Sequence, residues 1–246
     1  MRLAAVGAVA VAVVIGTAGA GCGGGGEAPA RAAQPLPPSA YGRAEPEAGR
    51  ALLRFVRAGR RGDQAAMWSL LSKDTRAGFG GTLARFRRDA GADYADQFEL
   101  LSGERVLLAR RLGRFAVAAI AGMRPPDEGE KPEEYAFALA LVREDGGWRV
   151  ETGGLVLEGM KPGTLDETDR RPQLGARADA AGPVGRLVLW LDGRPFPIAR
   201  TSELPFTAEI DGRPPRELMP GVHRAVVFAN GGGTAAAVAW PFLVDS

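Results

Sequence analysis

Histidine and cysteine are nearly missing: the 246 residues hold one of each, His223 and Cys22. A structural or catalytic zinc draws on several such ligands, so no metal centre is expected. A nucleophilic triad is not expected either, because no G-x-S-x-G occurs and no serine motif lies beside the one histidine. His223 reads instead as a hydrogen-bonding residue at the start of a strand. One cysteine cannot form an internal disulfide. Lysine is scarce as well, at Lys73, Lys131 and Lys161 only, so the positive charge is almost all arginine. The formal net charge is only +2, and Arg60-Arg61, Arg87-Arg88 and Arg110-Arg111 are short and scattered. They read as solvated helix or strand edges, and nucleic acid is not an expected partner. The glycine runs Gly23–Gly26 and Gly231–Gly233 lack the lysine of a phosphate loop, so no nucleotide cofactor is expected.

What the chain does have starts at residue 1. Met1-Arg2 is a short positive start, and Leu3 to Ala20 is an apolar run of small and branched residues. That is the layout of an export signal, residues 1–21. A membrane span competes, but the run is rich in Ala and Gly and near the minimum length for one. Cys22 follows Ala20-Gly21 and precedes four glycines. This resembles the lipobox of bacterial lipoproteins, which implies lipid on Cys22 and an extracytoplasmic, membrane-moored chain. The pattern departs from that family at Gly19, where a branched apolar residue is usual. Cleavage after Ala18-Gly19-Ala20 by ordinary signal peptidase, giving a secreted protein, is the alternative. Residues 22–44 are rich in Gly, Ala and Pro, have no apolar period, and read as a flexible tether.

The first folded segment, 45–160, opens with helical patterning. Pro46 and Glu47 suit a first helical turn, and Ala48, Leu52, Phe55 and Val56 recur at helical spacing. Gly59 and Gly62 predict its end, and Asp63 predicts a cap for a second helix bearing Met67, Leu70 and Leu71. Ser72 to Thr75 reads as a turn, and Thr82 to Asp89 as a third helix. After Gly91 the pattern reads as strand: Phe98 to Leu100, Val106 to Leu112, Phe115 to Met123 and Tyr135 to Val142. A hairpin at Asp145-Gly146-Gly147 then leads to a return strand from Trp148. Helices followed by antiparallel strands predict an α+β fold.

Ala51 to Val56, Gly62-Asp63 with Ala66-Met-Trp68 and Leu70-Leu71-Ser72, and the closing Arg143 to Val150 carry a resemblance to the nuclear-transport-factor-2-like superfamily. It implies a curved sheet wrapped by helices into a cone with an apolar pocket, lined here by Trp68, Tyr135 and Trp148. Enzymes of that superfamily resembling ketosteroid isomerase use an acid with a Tyr donor or an Asp-His pair. This segment has no histidine, so a non-enzymatic role is expected; a small-molecule carrier or isomerase-like enzyme using Tyr135 is the alternative.

Residues 161–183 read as a linker of Gly, Pro, Asp and Thr. Residues 184–246 read as a small all-β sandwich: Leu187 to Leu191 is apolar on both faces, and Val238, Trp240, Phe242 and Val244 share one face of the last strand. Leu218-Met-Pro-Gly-Val-His223, Val226 to Ala229 and Trp240 to Val244 resemble the closing strands of bacterial immunoglobulin-like domains. Taken together, the expectation is a lipoprotein that binds a protein, glycan or small apolar ligand in the cell envelope, attached to the membrane by lipid.

Overall fold

A computed structural model describes residues 36–99, 101–125, 132–197, 199–204 and 206–245. Cys22, the expected export signal and most of the expected tether lie outside the described residues. The fold is mixed α+β and rich in antiparallel sheet.

A single 3₁₀ turn, Pro38–Tyr41, and a two-residue strand, β1 (Arg43–Ala44), lead into helix α1 (Pro46–Arg60). Pro46 sits in the first turn, where its missing N–H is of no consequence, and Arg57 and Arg60 face the negative end of the helix dipole. The helix runs through Gly59 rather than stopping there. Gly59 is buried, and a Cβ on it would press to 2.6 Å from the Phe98 ring, so it permits a close helix–helix approach. Asp63 caps α2 (Gln64–Leu70) by accepting from Ala66 N–H at 2.9 Å. The segment expected as a turn at Ser72 is the start of α3 (Lys73–Gly78), with Ser72 as its cap.

Beyond Thr82 the helical region is longer than its sequence suggests. It comprises α4 (Leu83–Phe86), a π-helical turn (Arg87–Gly91) and α5 (Ala92–Glu99). Phe98 is therefore helical, correcting the expectation of a strand. Gly91 looked like a helix stop. The wider π turn instead carries the chain through it and keeps Phe86, Ala90 and Phe98 in one core.

The strands that follow are β2 (Ser102–Leu112), β3 (Phe115–Arg124), β4 (Glu133–Glu144), β5 (Gly147–Glu151), β6 (Leu155–Lys161), β7 (Glu167–Thr168), β8 (Leu174–Ala180), β9 (Val184–Leu191), β10 (Arg194–Pro195), β11 (Ala199–Leu204), β12 (Thr207–Gly212), β13 (Gly221–Gly231) and β14 (Thr234–Val244). They make three sheets, ordered β1-β2-β3-β4-β5, β10-β9-β13-β14-β7 and β11-β12-β8-β6. Among the strands named here every pairing is antiparallel except β14 with β7. The expected linker, 161–183, holds the end of β6 and all of β7 and β8, so the third sheet begins before the expected boundary. Its inward residues on β8 are Leu174, Ala176 and Ala178, and alanine alternation is a weak strand signal.

Three apolar cores separate four layers. Helices pack on the first sheet through Leu52, Phe55, Phe86 and Phe98 against Ala116, Ala118, Ile120 and Leu141. The second and third sheets enclose Leu187, Leu189, Val227, Trp240 and Phe242 with Ala178 and Ile210. Between these lies a third core, in which the other face of the first sheet meets the other face of the second. Phe115, Val117 and Ala140 come from one side, and Val188, Trp190, Val226 and Phe228 from the other. Strands β3, β4, β9 and β13 are thus covered on both faces. Alanines line much of the seam: Ala136, Ala138 and Ala140 on β4, and Ala235 and Ala239 on β14. Their small side chains let β4 and β14 bring Cα atoms within 8 Å, closer than the usual ~10 Å between stacked sheets.

Polar ties rim this seam. Arg224 on β13 pairs with Glu134 on β4 at 2.7 Å. Arg114, in the β2–β3 turn, donates to the Gly233 carbonyl in the β13–β14 hairpin. Tyr41 lies edge-on to Trp190 at 5.9 Å, and its hydroxyl donates to the Phe196 carbonyl.

Candidate functional site

The three residues of the expected pocket lining all lie in or against the helix–sheet core, at different levels of the first sheet. Trp148, on β5, is 3% exposed, and Trp68, on α2, is half-buried against Phe79 and Phe86. Tyr135 sits near the start of β4, whereas Trp148 pairs with Arg143 near its end. Eight residues of strand separate the two levels, roughly 27 Å. The space between helices and sheet is occupied by Phe55, Met67, Leu71, Phe86, Phe98 and Trp148. A cleft of about 300 Å³ lies elsewhere, between Leu36–Ala40 and the start of β9 at Gly185–Val188.

The Tyr135 hydroxyl accepts from Gln97 Nε2 at 2.7 Å, and the Arg124 guanidinium lies 5.3 Å from its ring centre. Burial pushes this phenol up to about 12, so it keeps its proton at neutral pH. Among the described residues its contacts are an amide and a cation, whereas an isomerase-like pair would need a carboxylate.

A buried polar cluster that the sequence reading did not single out lies at the open edge of β5. Leu71 bridges Val150, and Ser72 N–H donates to the Val150 carbonyl at 2.8 Å. The Ser72 hydroxyl contacts Thr75 Oγ1 at 2.9 Å, and Thr152 N–H donates to that same Thr75 oxygen at 3.0 Å. Thr152 in turn bonds the Tyr94 hydroxyl, whose proton burial holds so firmly that its pKa rises to about 12. Glu151, 3% exposed, completes the group. Burial pushes its carboxyl above the ordinary glutamate range; Ser72 opposes that by hydrogen bonding, while Asp74 and Glu144 reinforce it. Its Oε1 has no hydrogen-bond partner among the described residues. Ser72, Thr75 and Glu151 have almost no exposed surface, whereas Thr152 and Tyr94 are half-buried. Its geometry locks α3 onto a sheet edge that would otherwise be bare. The signal for it was present as a serine followed by Thr75 at capping distance, but a single buried glutamate among strand residues has no sequence signature.

His223 is held on both sides. Its Nδ1 is 2.7 Å from Asp192 Oδ2 and its Nε2 is 2.7 Å from the Met219 carbonyl. The other Asp192 oxygen accepts from Arg224 N–H at 2.9 Å. These contacts pin the loop before β13 to the β9–β10 turn. Among the described residues, no three His, Cys, Asp or Glu side chains are grouped to hold a metal ion, and no helix is long and apolar enough to cross a membrane. No protein-family model matches the chain, and no curated protein matches it.

Proposed function

We propose that this chain is an extracytoplasmic lipoprotein, moored to a bacterial membrane through lipid on Cys22, whose folded part acts by binding an envelope protein or glycan rather than by catalysis. The observation that carries the address is the apolar run ending in Ala20-Gly21-Cys22. Support for binding over chemistry comes from the packed helix–sheet interior and from Tyr135 facing Gln97 and Arg124. Helices on one face of a five-stranded antiparallel sheet, followed by two facing sheets, is the layer order that a nuclear-transport-factor-2-like domain and an immunoglobulin-like domain would give. On this reading the two are joined back to back, so a partner meets one body with fixed faces. The test is Cys22→Ala in a bacterial host. The expected result is loss of membrane retention and of the lipid mass increment on the N-terminal peptide. Unchanged retention with no lipid on the parent chain would refute the anchor.

A further inference from the structure

The outward face of α1 has an unusual composition. After Glu47, every exposed residue of the helix is an arginine: Arg50, Arg54, Arg57 and Arg60, followed by Arg61 at its cap. The opposite face is buried through Ala48, Leu52, Phe55 and Val56, so the arginines cannot turn inward. From Arg50 to Arg61 they run along ~16 Å of helix. Neutralisation is partial. Glu104 lies between Arg57 and Arg60, at 3.9 and 3.0 Å, and Glu47 is 3.8 Å from Arg50. Arg54 and Arg61 have no ion pair among the described residues. A row of guanidinium groups matches a plane of phosphates, because each presents a planar fork of donors to phosphate oxygens.

The place of the helix in the chain selects which phosphates. Fourteen residues lead from Cys22 to Leu36, the first described residue, and they can span at most about 50 Å. α1 begins ten residues later. A lipid on Cys22 would therefore hold this arginine face within reach of the membrane surface at a high effective concentration. We infer that the arginine face of α1 docks on anionic phospholipid headgroups, laying the body against the membrane that anchors it. The inference rests on the envelope reading above for its setting, but the contact itself needs no lipid on Cys22.

That independence makes the two separable by experiment. The chain from residue 22 onward with Cys22→Ala holds every described element and carries no anchor. It is mixed at low salt with vesicles of phosphatidylglycerol and phosphatidylcholine, and with vesicles of phosphatidylcholine alone, and sedimented. Binding is expected to the anionic vesicles only, and to fade as salt rises. At about fivefold per arginine, Arg54→Gln with Arg61→Gln should weaken it about 25-fold. Replacing both by lysine should restore most of it, and Arg87→Gln, on the π turn, should leave it unchanged. Equal binding to neutral and anionic vesicles, or a double variant that sediments like its parent, would overturn the inference. So would binding to soluble polyphosphate without binding to vesicles, which would assign the face to an anionic polymer. Failure of the Cys22 test with vesicle binding intact would remove the anchor and leave the headgroup contact standing.

Discussion

Phe228 sits in the middle of the seam between the first two sheets and is fully buried. On its own sheet it pairs with Val188 on β9 and Ala237 on β14. Phe228→Ala removes a ring that fills the space between two rigid layers, and neither layer can move in to close the gap without breaking pairings along β13. A deletion of this kind costs about 3–5 kcal/mol. For a chain of this size each kcal/mol is worth roughly 2–4 °C, so the melting temperature should fall by about 6–20 °C. The informative quantity is which parts of the molecule respond. If the seam fuses the layers, calorimetry of the parent gives one transition, and the substitution shifts all of it. Hydrogen exchange should then accelerate in β3 and β4 by the same free energy as in β9 and β14. Phe98→Ala, confined to the helix–sheet core, should likewise shift the single transition. Two resolved transitions in the parent, with Phe228→Ala moving one of them and leaving β3 and β4 protected as before, would refute the coupling.

Glu151→Gln tests the buried polar cluster through its pH dependence. The folded carboxyl titrates above its unfolded value, so the acid favours folding most when both states are protonated, and stability declines as pH rises from about 4 through the raised folded value. The glutamine variant should lack that decline. Its stability relative to the parent should therefore grow with pH over this window and level off above it, read as urea midpoints; a gap that is constant with pH would sink the assignment. Gly42→Ala probes the junction where the chain turns into β1. Gly42 has φ +69°, and a Cβ there would collide with the Arg111 carbonyl, so a loss of about 2 kcal/mol or more is expected in urea unfolding. A change under about 0.5 kcal/mol would mean that this turn rearranges freely.

How much of this was legible depends on what each residue type says about its neighbours. Leu187 to Leu191 announced a strand covered on both faces, and the structure places Leu187, Leu189 and Leu191 in one core and Val188 and Trp190 in another. The shared face of Val238, Trp240, Phe242 and Val244 was equally readable, since large alternating side chains have few alternatives to a sheet core. The helical run through Gly91 was hidden because glycine is a stop signal locally, and only the tertiary demand for Phe98 in the core overrides it. All three expected lining residues, Trp68, Tyr135 and Trp148, meet the helix–sheet core, which their large apolar side chains already suggested. The 27 Å estimate between the levels of Tyr135 and Trp148 follows from strand register, which no spacing in the sequence supplies.

The seam was the least legible feature, and its chemistry explains why. Ala119, Ala136, Ala138, Ala140, Ala235 and Ala239 are all buried there, yet alanine is common on surfaces, in helices and in cores alike. A face of alanines therefore reads as neutral, and a segment rich in Gly, Pro and Asp beside it reads as a linker. Once the sheets are opposed, the same neutrality becomes the reason they fit. Side chains of one carbon leave no knobs to interlock, so the backbones approach closely, and the larger residues Phe115, Trp190 and Phe228 fill the remaining space of the seam. Two domains joined by a flexible segment could each bind independently. Layers that share β3, β4, β9 and β13 between cores cannot, because displacing either sheet exposes Phe228 and Trp190 to water. Whatever contacts the outer sheets is therefore held in fixed orientation to the arginine face of α1, because the packed layers between them move as one body.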